Sequence, residues 1–507
     1  MVAWAGTADT EWRSLRRRLG WVREFRRLVA AHEGELRDLI CRETHKTAWE
    51  ALTADILPLL AACRWAERHA VRVLRPRRLR GGAFWQAAER HMVVREPLGD
   101  VAIIATWNYP VQLLGIQMLQ ALVAGNRVVV KPSEHAPATQ ERLLRLAVAA
   151  GLPEGVLGWV PATREAGRDL LAGRRFDHVV FTGSTNVGRA VAAWAAETLT
   201  PTTLELSGRD SAIVLADADT DAAAQAIWYA ATVNAGQTCM APRRVLVERA
   251  AYEGLLRAMA PMAAAARPLR LISEAAAARA FGLAREAMAA GARSLSGVAE
   301  PPRGAWLRPL AIVDCPAGCE LVDGDHFGPV VAVVPVRDVD EAMEIQGRCG
   351  QHLAASVFTR RPRGSVARDL VTRLGASNVV FNDSVRPVAH PGVCLGGRGL
   401  SGWGVTRGEE GLLAMTRPVC IARTGRVLRM PWTTPPRRTA ERIAAFARWW
   451  HGAGRAATAG LGLAPADAMR EAAEQAEVSV AVRGHEPHEA PDGPAAEVAG
   501  TRRSPHG

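Results

Sequence analysis

From residue 98 onward, short apolar runs alternate with stretches patterned for helices, and this alternation limits the possible fold more than any other feature of the chain. Residues 101–106, 127–130, 156–160 and 178–181 read as strands, with helical stretches between several of them. A helix after each strand returns the chain so that the next strand runs parallel to the last. The pattern therefore predicts a doubly wound parallel sheet. A second alternating block follows Ser211, with strands at 212–215, 244–247, 330–336 and 378–381, and predicts a second α/β domain. Ahead of both, residues 11–72 repeat apolar positions at spacings of three and four and read as helices. Residues 73–97 carry Pro76, Gly81 and Gly82 and then Met92-Val-Val-Arg95, an excursion that contains a strand.

A chain of 507 residues holds two or three domains with ample cores. No apolar run reaches the roughly 18 residues that span a bilayer. Residues 1–10 lack an apolar segment behind a basic one, so no signal peptide is expected. The eight cysteines follow no framework spacing, and no His or Cys cluster completes a metal site around Cys315 and Cys319, which implies free thiols in a reducing, cytoplasmic setting. The net charge of +12 raises nucleic acid or an anionic membrane as partners. Scattered basic residues and few aromatics argue against nucleic acid. The run Arg16 to Arg18 reads as the solvated face of a helix whose apolar stripe is Trp12, Leu15, Leu19, Val22 and Phe25. Residues 439–451 read as a helix with Ile443, Phe446, Ala447 and Trp450 on one face, packed on the body of the protein or laid on a membrane surface. Residues 484–507 read as disordered.

Two motifs carry chemistry. Asn234-Ala-Gly-Gln-Thr-Cys239 offers a thiol on a permissive loop, and Leu204-Glu-Leu-Ser-Gly208 offers Glu205 among apolar and small residues. A thiol that adds to a carbonyl and a carboxylate that activates water would together oxidise an aldehyde and hydrolyse the resulting thioester. Each alone has a plainer reading: a free Cys is usually a small buried hydrophobe, and a Glu near a strand end is usually solvated. Thr106-Trp-Asn-Tyr-Pro110 follows a predicted strand directly, so Asn108 would place an amide donor in the crevice at the strand's carboxyl end, suited to an oxyanion. Of 63 basic residues only Lys46 and Lys131 are lysines, and Lys131 stands in Val130-Lys-Pro-Ser-Glu134. Lys131 and Glu134 at a strand end suit ribose hydroxyls, and Glu134 would repel a 2′-phosphate, which favours NAD over NADP. Phe181-Thr-Gly-Ser-Thr-Asn-Val-Gly188 runs from a strand into a helix, so Gly183 and Ser184 would offer amides to a pyrophosphate.

Together these segments resemble the NAD(P)-dependent aldehyde dehydrogenase superfamily over roughly residues 12–422. The resemblance implies Cys239 as nucleophile, Glu205 as general base, and Asn108 with the Cys239 amide as oxyanion hole. It implies Lys131 and Glu134 at the ribose, Ser184 and Val187 near the pyrophosphate, and Thr106, Trp107, Ser133, Gly183 and Leu206 as further cofactor contacts. Asp325-His-Phe-Gly-Pro329 is similar to the family's Glu-x-Phe-Gly-Pro segment, which puts Asp325 on the nicotinamide ribose and Phe327 near the ring. Leu395-Gly-Gly-Arg-Gly-Leu-Ser-Gly402 is similar to its late Phe-Gly-Gly motif. The early Cys and Leu199-Thr-Pro-Thr-Thr-Leu-Glu205 are similar to the class 3 branch, which implies medium-chain, long-chain or aromatic aldehydes, a homodimer and, in some members, a membrane-associated tail.

The implied architecture is an aldehyde dehydrogenase-like α/β fold. An NAD(P)-binding domain covers 1–72 and 98–208, a catalytic domain 209–403, an oligomerisation arm 73–97 and 404–423, a basic extension 424–483 and a tail 484–507. Ser207, Asp325 and Leu395 depart from the family pattern. Ser207 is expected to crowd the Glu205 loop, Asp325 to reach the ribose less closely, and Leu395 to enlarge a pocket. The rivals are a coenzyme A-acylating enzyme, against which Glu205 counts, and a weakly catalytic scaffold that binds a partner or membrane through its basic tail.

Overall fold

A computed structural model of the chain describes residues 12–80, 89–316, 318–424 and 437–452. The chain divides into two compact units, one of residues 1–82 and 89–423 and one of 83–88 and 424–507.

The first unit holds two large sheets. In the six-stranded sheet the order is Gly402–Trp403, Thr202–Glu205, His178–Thr182, Asp100–Ile104, Arg127–Lys131 and Leu157–Trp159. The five longer-range partners run parallel, and Gly402–Trp403 closes the edge antiparallel to Thr202–Glu205. Chain order reverses between Asp100–Ile104 and His178–Thr182, so the connections that leave their carboxyl ends run in opposite directions and leave a crevice. Helices cover both faces. Phe25, Leu59, Ile103, Leu114, Met118 and Val130 fill one core, and Ala102, Val129, Val179, Phe181 and Leu204 fill the other. The alternation along each strand explains why these strands read as unbroken apolar runs.

The seven-stranded sheet has the order Arg293–Ser294, Leu310–Val313, Val330–Val336, Pro242–Glu248, Asp210–Val214, Ala354–Phe358 and Asn378–Phe381. All neighbours are parallel except the first pair. A smaller sheet joins Arg77–Leu79, Glu89–Pro97 and Thr416–Thr424 in that order.

The helices expected over 11–72 are Leu15–Ala31, Glu33–Thr44 and a continuous run from Ala48 to Leu74. That run winds as a π-helix over Ala51–Ile56, just before Pro58, which has no N–H to return to the preceding turn. Strands at Thr202–Glu205, Leu310–Val313 and Ala354–Phe358 were not legible in the sequence, being short and lacking alternation. The solvated reading of Arg16 to Arg18 fails at Arg18. Its side chain is buried and donates to the Val123 carbonyl at 2.7 Å, near the C-terminus of helix Gln112–Ala124, where unpaired carbonyls favour a cation.

The second unit contains helix Arg437–Gly452, on which Ile443 is exposed. The side chains of Phe446 and Trp450, and residues 484–507, lie outside the described residues. No helix among the described residues is long and apolar enough to cross a membrane.

Candidate active site

The crevice at the reversal point is a cleft of about 1010 Å³ lined by Thr106, Trp107, Asn108, Gly183, Ser184, Glu205, Leu206, Cys239, Asp325 and Phe327, among others. A second cavity, also about 1010 Å³, is lined by Trp49, Tyr109, Tyr229, Met240 and Val385, among others. Cys239, Leu113 and Leu395 line both, so the thiol stands where the two meet.

The loop that carries Cys239 is strained and tied down. Asn234 and Ala235 adopt left-handed backbone with φ of 54° and 52°, a conformation that costs about 1 kcal/mol or more outside glycine. Gly236 follows at φ 70°, and a Cβ there would lie 2.5 Å from the Gly328 backbone, so only glycine fits. The Asn234 side-chain amide donates to the carbonyls of Asn108 (2.9 Å) and Gln237 (3.0 Å). The Asn234 N–H donates to Glu50 at 2.8 Å. Arg243 donates to the carbonyls of Gly236 and Thr238, each at 2.8 Å. Burial pushes the Cys239 thiol up to about 12, helped by the carboxylates of Glu205 and Asp210 and opposed by Arg407 and Arg243.

Asn108 is oriented by its neighbours. Its side-chain oxygen accepts from Thr106 Oγ1 at 3.1 Å, so its amide faces the Cys239 loop and donates one N–H to the Gln237 carbonyl at 3.2 Å. Its backbone carbonyl accepts from Lys46 Nζ at 2.6 Å. Lys46 is wholly buried in an ion pair with Asp55, and Asp55 accepts the amides of Val111 and Gln112, both at 3.1 Å.

Glu205 ends its strand and is 4% exposed. Gln117 Nε2 (3.0 Å) and Thr182 Oγ1 (3.2 Å) donate to one carboxylate oxygen, and Thr406 Oγ1 donates to the other. Burial dominates and raises its proton affinity, while Thr406, the charge of Arg407, Thr182 and Gln117 act the other way. Ser207 lines the cleft beside this loop. Its carbonyl accepts from Ser401 Oγ at 2.9 Å. The tight position is Gly208, where a Cβ would lie 2.6 Å from the Cys239 carbonyl.

Of the predicted cofactor residues, Thr106, Trp107, Gly183, Ser184, Leu206, Asp325 and Phe327 line the cleft. Phe327 meets Trp107 edge to face, with ring centroids 5.9 Å apart. The Asp325 carbonyl accepts from Arg279 at 2.9 Å. Lys131, Ser133, Glu134 and Val187 are not in the lining. Lys131 ends the neighbouring strand, is buried, and donates to Glu134 at 2.6 Å, so it is not a surface lysine. Gln140 ties these loops together by donating to the Thr106 carbonyl (2.7 Å) and accepting from the Ser133 N–H (2.6 Å). Val187 is half exposed on helix Thr185–Thr198, and its N–H caps on Ser184 Oγ at 3.4 Å. The expectation that Gly183 offers its amide needs correction, because that N–H donates to the Glu205 carbonyl at 3.0 Å within the sheet.

Sequence reasoning missed Lys46, Glu50, Asp55, Gln117, Thr406, Arg243 and Arg407, which hold the site from outside its motifs. One signal was available: Lys46 is one of only two lysines. Asn126, just ahead of strand Arg127–Lys131, binds the backbone of Gly99, Ala121 and Met415 and serves the fold. Among the described residues no group of three or more His, Cys, Asp or Glu could hold a metal ion.

The cleft suits a dinucleotide. It lies at the reversal point of a parallel sheet, the N-terminus of a 14-residue helix opens onto it at Ser184, and Trp107 and Phe327 wall one side. Comparison with known proteins agrees. Residues 1–421 match the aldehyde dehydrogenase family. The chain is similar to a 4,4'-diapolycopene aldehyde oxidase of Methylomonas sp, 32% identical over 383 residues, which are 74% of this chain and 72% of that protein. It is similar to a crystal structure of an E. coli NADP dependent enzyme, with TM-score 0.76 and 25% identity, covering 82% of this chain and 87% of that one. It is also similar to a Mycobacterium tuberculosis aldehyde dehydrogenase complexed with NAD+, with TM-score 0.74 and 28% identity, covering 85% and 88%.

Proposed function

The chain belongs to the aldehyde dehydrogenase family and oxidises aldehydes to acids with NAD or NADP, and on that premise we propose that Cys239, Glu205 and Asn108 perform the reaction on an apolar aldehyde. The observation that carries this reading is the meeting of the two cavities at Cys239, with Glu205 and Asn108 in the wall of one of them. Thr106, Trp107, Ser184, Leu206, Asp325 and Phe327 would hold NAD(P)+ in the cleft, with Lys131 and Glu134 toward its ribose, and the bound cofactor would supply the hydride acceptor. Cys239 releases its thiol proton to solvent, and the resulting thiolate adds to the aldehyde carbon. The free N–H of the Asn108 amide and the Cys239 backbone N–H receive the oxygen as charge develops on it. After oxidation the acyl group is a thioester on Cys239. Glu205, ionised, takes a proton from water as that water attacks, and the acid leaves while the thiol is restored.

The second cavity supports medium-chain, long-chain or aromatic substrates. Trp49, Tyr109, Leu113, Tyr229, Met240 and Val385 give it an apolar lining, alongside Arg386 and Arg407. Glu134 favours NAD, since its carboxylate is held charged by Lys131 and Arg164. The exposed edge strand Thr416–Thr424 supports a homodimer. NADH or NADPH formation over a panel of short, long, aromatic and carboxylate-bearing aldehydes, with Cys239→Ser alongside, tests the reading. Turnover of apolar aldehydes that vanishes in the variant is expected. Best turnover on short carboxylate-bearing aldehydes would overturn the substrate class, and turnover by Cys239→Ser would overturn the nucleophile.

A further inference from the structure

Arg243 is 2% exposed, yet it holds a full positive charge beside the nucleophile loop. Its two terminal nitrogens bind the carbonyls of Gly236 and Thr238, each at 2.8 Å. The guanidinium also lies over the Phe327 ring, 5.3 Å from its centroid. One buried side chain therefore touches both the loop that carries Cys239 and an aromatic wall of the cofactor cleft.

The Thr238 carbonyl and the Cys239 N–H belong to one planar, trans peptide, so they point in opposite directions. Arg243 and the Ala241 N–H, which donates at 3.1 Å, together hold that carbonyl, and this turns the Cys239 N–H away from Arg243. Among the described residues this N–H has no protein acceptor. A charge-assisted bond to the carbonyl also polarises the peptide and strengthens the N–H as a donor. The bond to Gly236 fixes the far end of the same loop across its left-handed residues, Asn234 and Ala235.

We propose that Arg243 is a positioning residue: its two-carbonyl clamp sets the direction of the Cys239 amide and keeps the thiol in its reactive place, registered against Phe327. This rests on the reading of Cys239 as the nucleophile. The charged groups that reach the thiol are Glu205, Asp210, Arg407 and Arg243, so removing Arg243 leaves one cation, Arg407, against two carboxylates.

The test uses the full chain as Arg243→Met and Arg243→Lys, each checked for folding by circular dichroism. Two quantities are read: kcat, and the rate at which iodoacetamide modifies Cys239 across a pH series, followed by peptide mass spectrometry. For Arg243→Met the expected result is a kcat lower by roughly 10²–10³, the scale of losing one oxyanion donor. Cys239 should also react more slowly at each pH, with its profile displaced upward. An unchanged kcat, or a lower kcat with unchanged Cys239 reactivity, overturns the proposal. If Arg243→Met does not fold, Arg243→Lys decides. Lysine keeps the charge but cannot hold both carbonyls, so kcat should fall while the alkylation profile stays in place, and a parental kcat overturns the clamp. Cys239→Ser with Arg243 intact separates the two readings: turnover there would remove the nucleophile assignment, whatever Arg243 does.

Discussion

At Glu205 a buried carboxylate is held by Gln117, Thr182 and Thr406 and still binds protons more tightly than an ordinary carboxylate, because desolvation outweighs the three donors. Thioester hydrolysis needs its ionised form. The acid limb of kcat should therefore lie above the usual carboxylate range, with activity lost as pH falls through it. Thr406→Val removes one donor to the charged form, so a pH–rate profile of that variant should show the limb at higher pH. Glu205→Gln should lower steady-state turnover by about 10²–10⁴-fold while leaving the first burst of reduced cofactor intact. Loss of the burst would place Glu205 before hydride transfer. Glu134 is the opposite case. Desolvation raises it, but the bonds from Lys131 and Arg164 and the Lys131 charge outweigh this and hold it at about 2. Its charge, and with it the repulsion of a 2′-phosphate, should persist down to about pH 3, and Glu134→Gln should shift kcat/KM toward NADP.

The segment from Lys46 to Pro58 shows how an element can serve a site it does not line. Thr47 and Glu50 form a capping box, and Glu50 uses its other oxygen on the Asn234 N–H. The π-helical turn over Ala51–Ile56 carries Asp55 inward, where it meets Lys46 and the amides of Val111 and Gln112 at the start of helix Gln112–Ala124. Asn108 and Asn234 thus hang from one segment. Breaking a buried ion pair leaves an uncompensated charge, so Lys46→Met should destabilise the fold by roughly 3–5 kcal/mol in denaturant titration. A double variant that also replaces Asp55 with an apolar residue should recover part of the stability and not the kcat, because the Asn108 carbonyl loses its charged donor and keeps only the bond from Asn234. Full recovery of kcat would mean that the pair only supports the fold. Helix Gln112–Ala124 follows the same logic. All 13 of its residues are buried, and its polar members face the site: Gln117 binds Glu205, and Gln120 accepts the Arg407 N–H at 2.9 Å.

For the molecule as a whole, every residue lining the two cavities belongs to the unit that ends at Arg423. Truncation after that residue should leave kcat and KM unchanged. A lost activity would assign the basic extension a part in catalysis. Fold stability should also fall in acid for a reason remote from the site. His178, buried in its strand beside Thr203, is lowered by desolvation from 6.5 to about 4. The unfolded chain then takes up this proton first, so the stabilisation is complete above pH 6.5 and disappears as pH falls through about 4. A shift of this size corresponds to roughly 3 kcal/mol. His178→Asn should flatten the change in unfolding free energy between those pH values by about that amount.

The sequence by itself determined the α/β class, the parallel runs, the helical N-terminal region and the segments that hold Cys239, Glu205, Asn108 and Lys131. Periodicity and residue type are local properties, and each of these features is written within a few neighbouring positions. Only the tertiary structure decided which groups meet. Short strands such as Ala354–Phe358 are recognisable only by their partners, since five apolar or small residues satisfy helix and strand equally. Arg18 read as solvent-facing because its partner, the Val123 carbonyl, lies 105 residues away. Lys46, Arg243 and Thr406 sit in no motif, and their contacts with Asn108, Thr238 and Glu205 arise from packing. A buried charge must find a partner or be expelled, and that partner is chosen in space rather than along the chain.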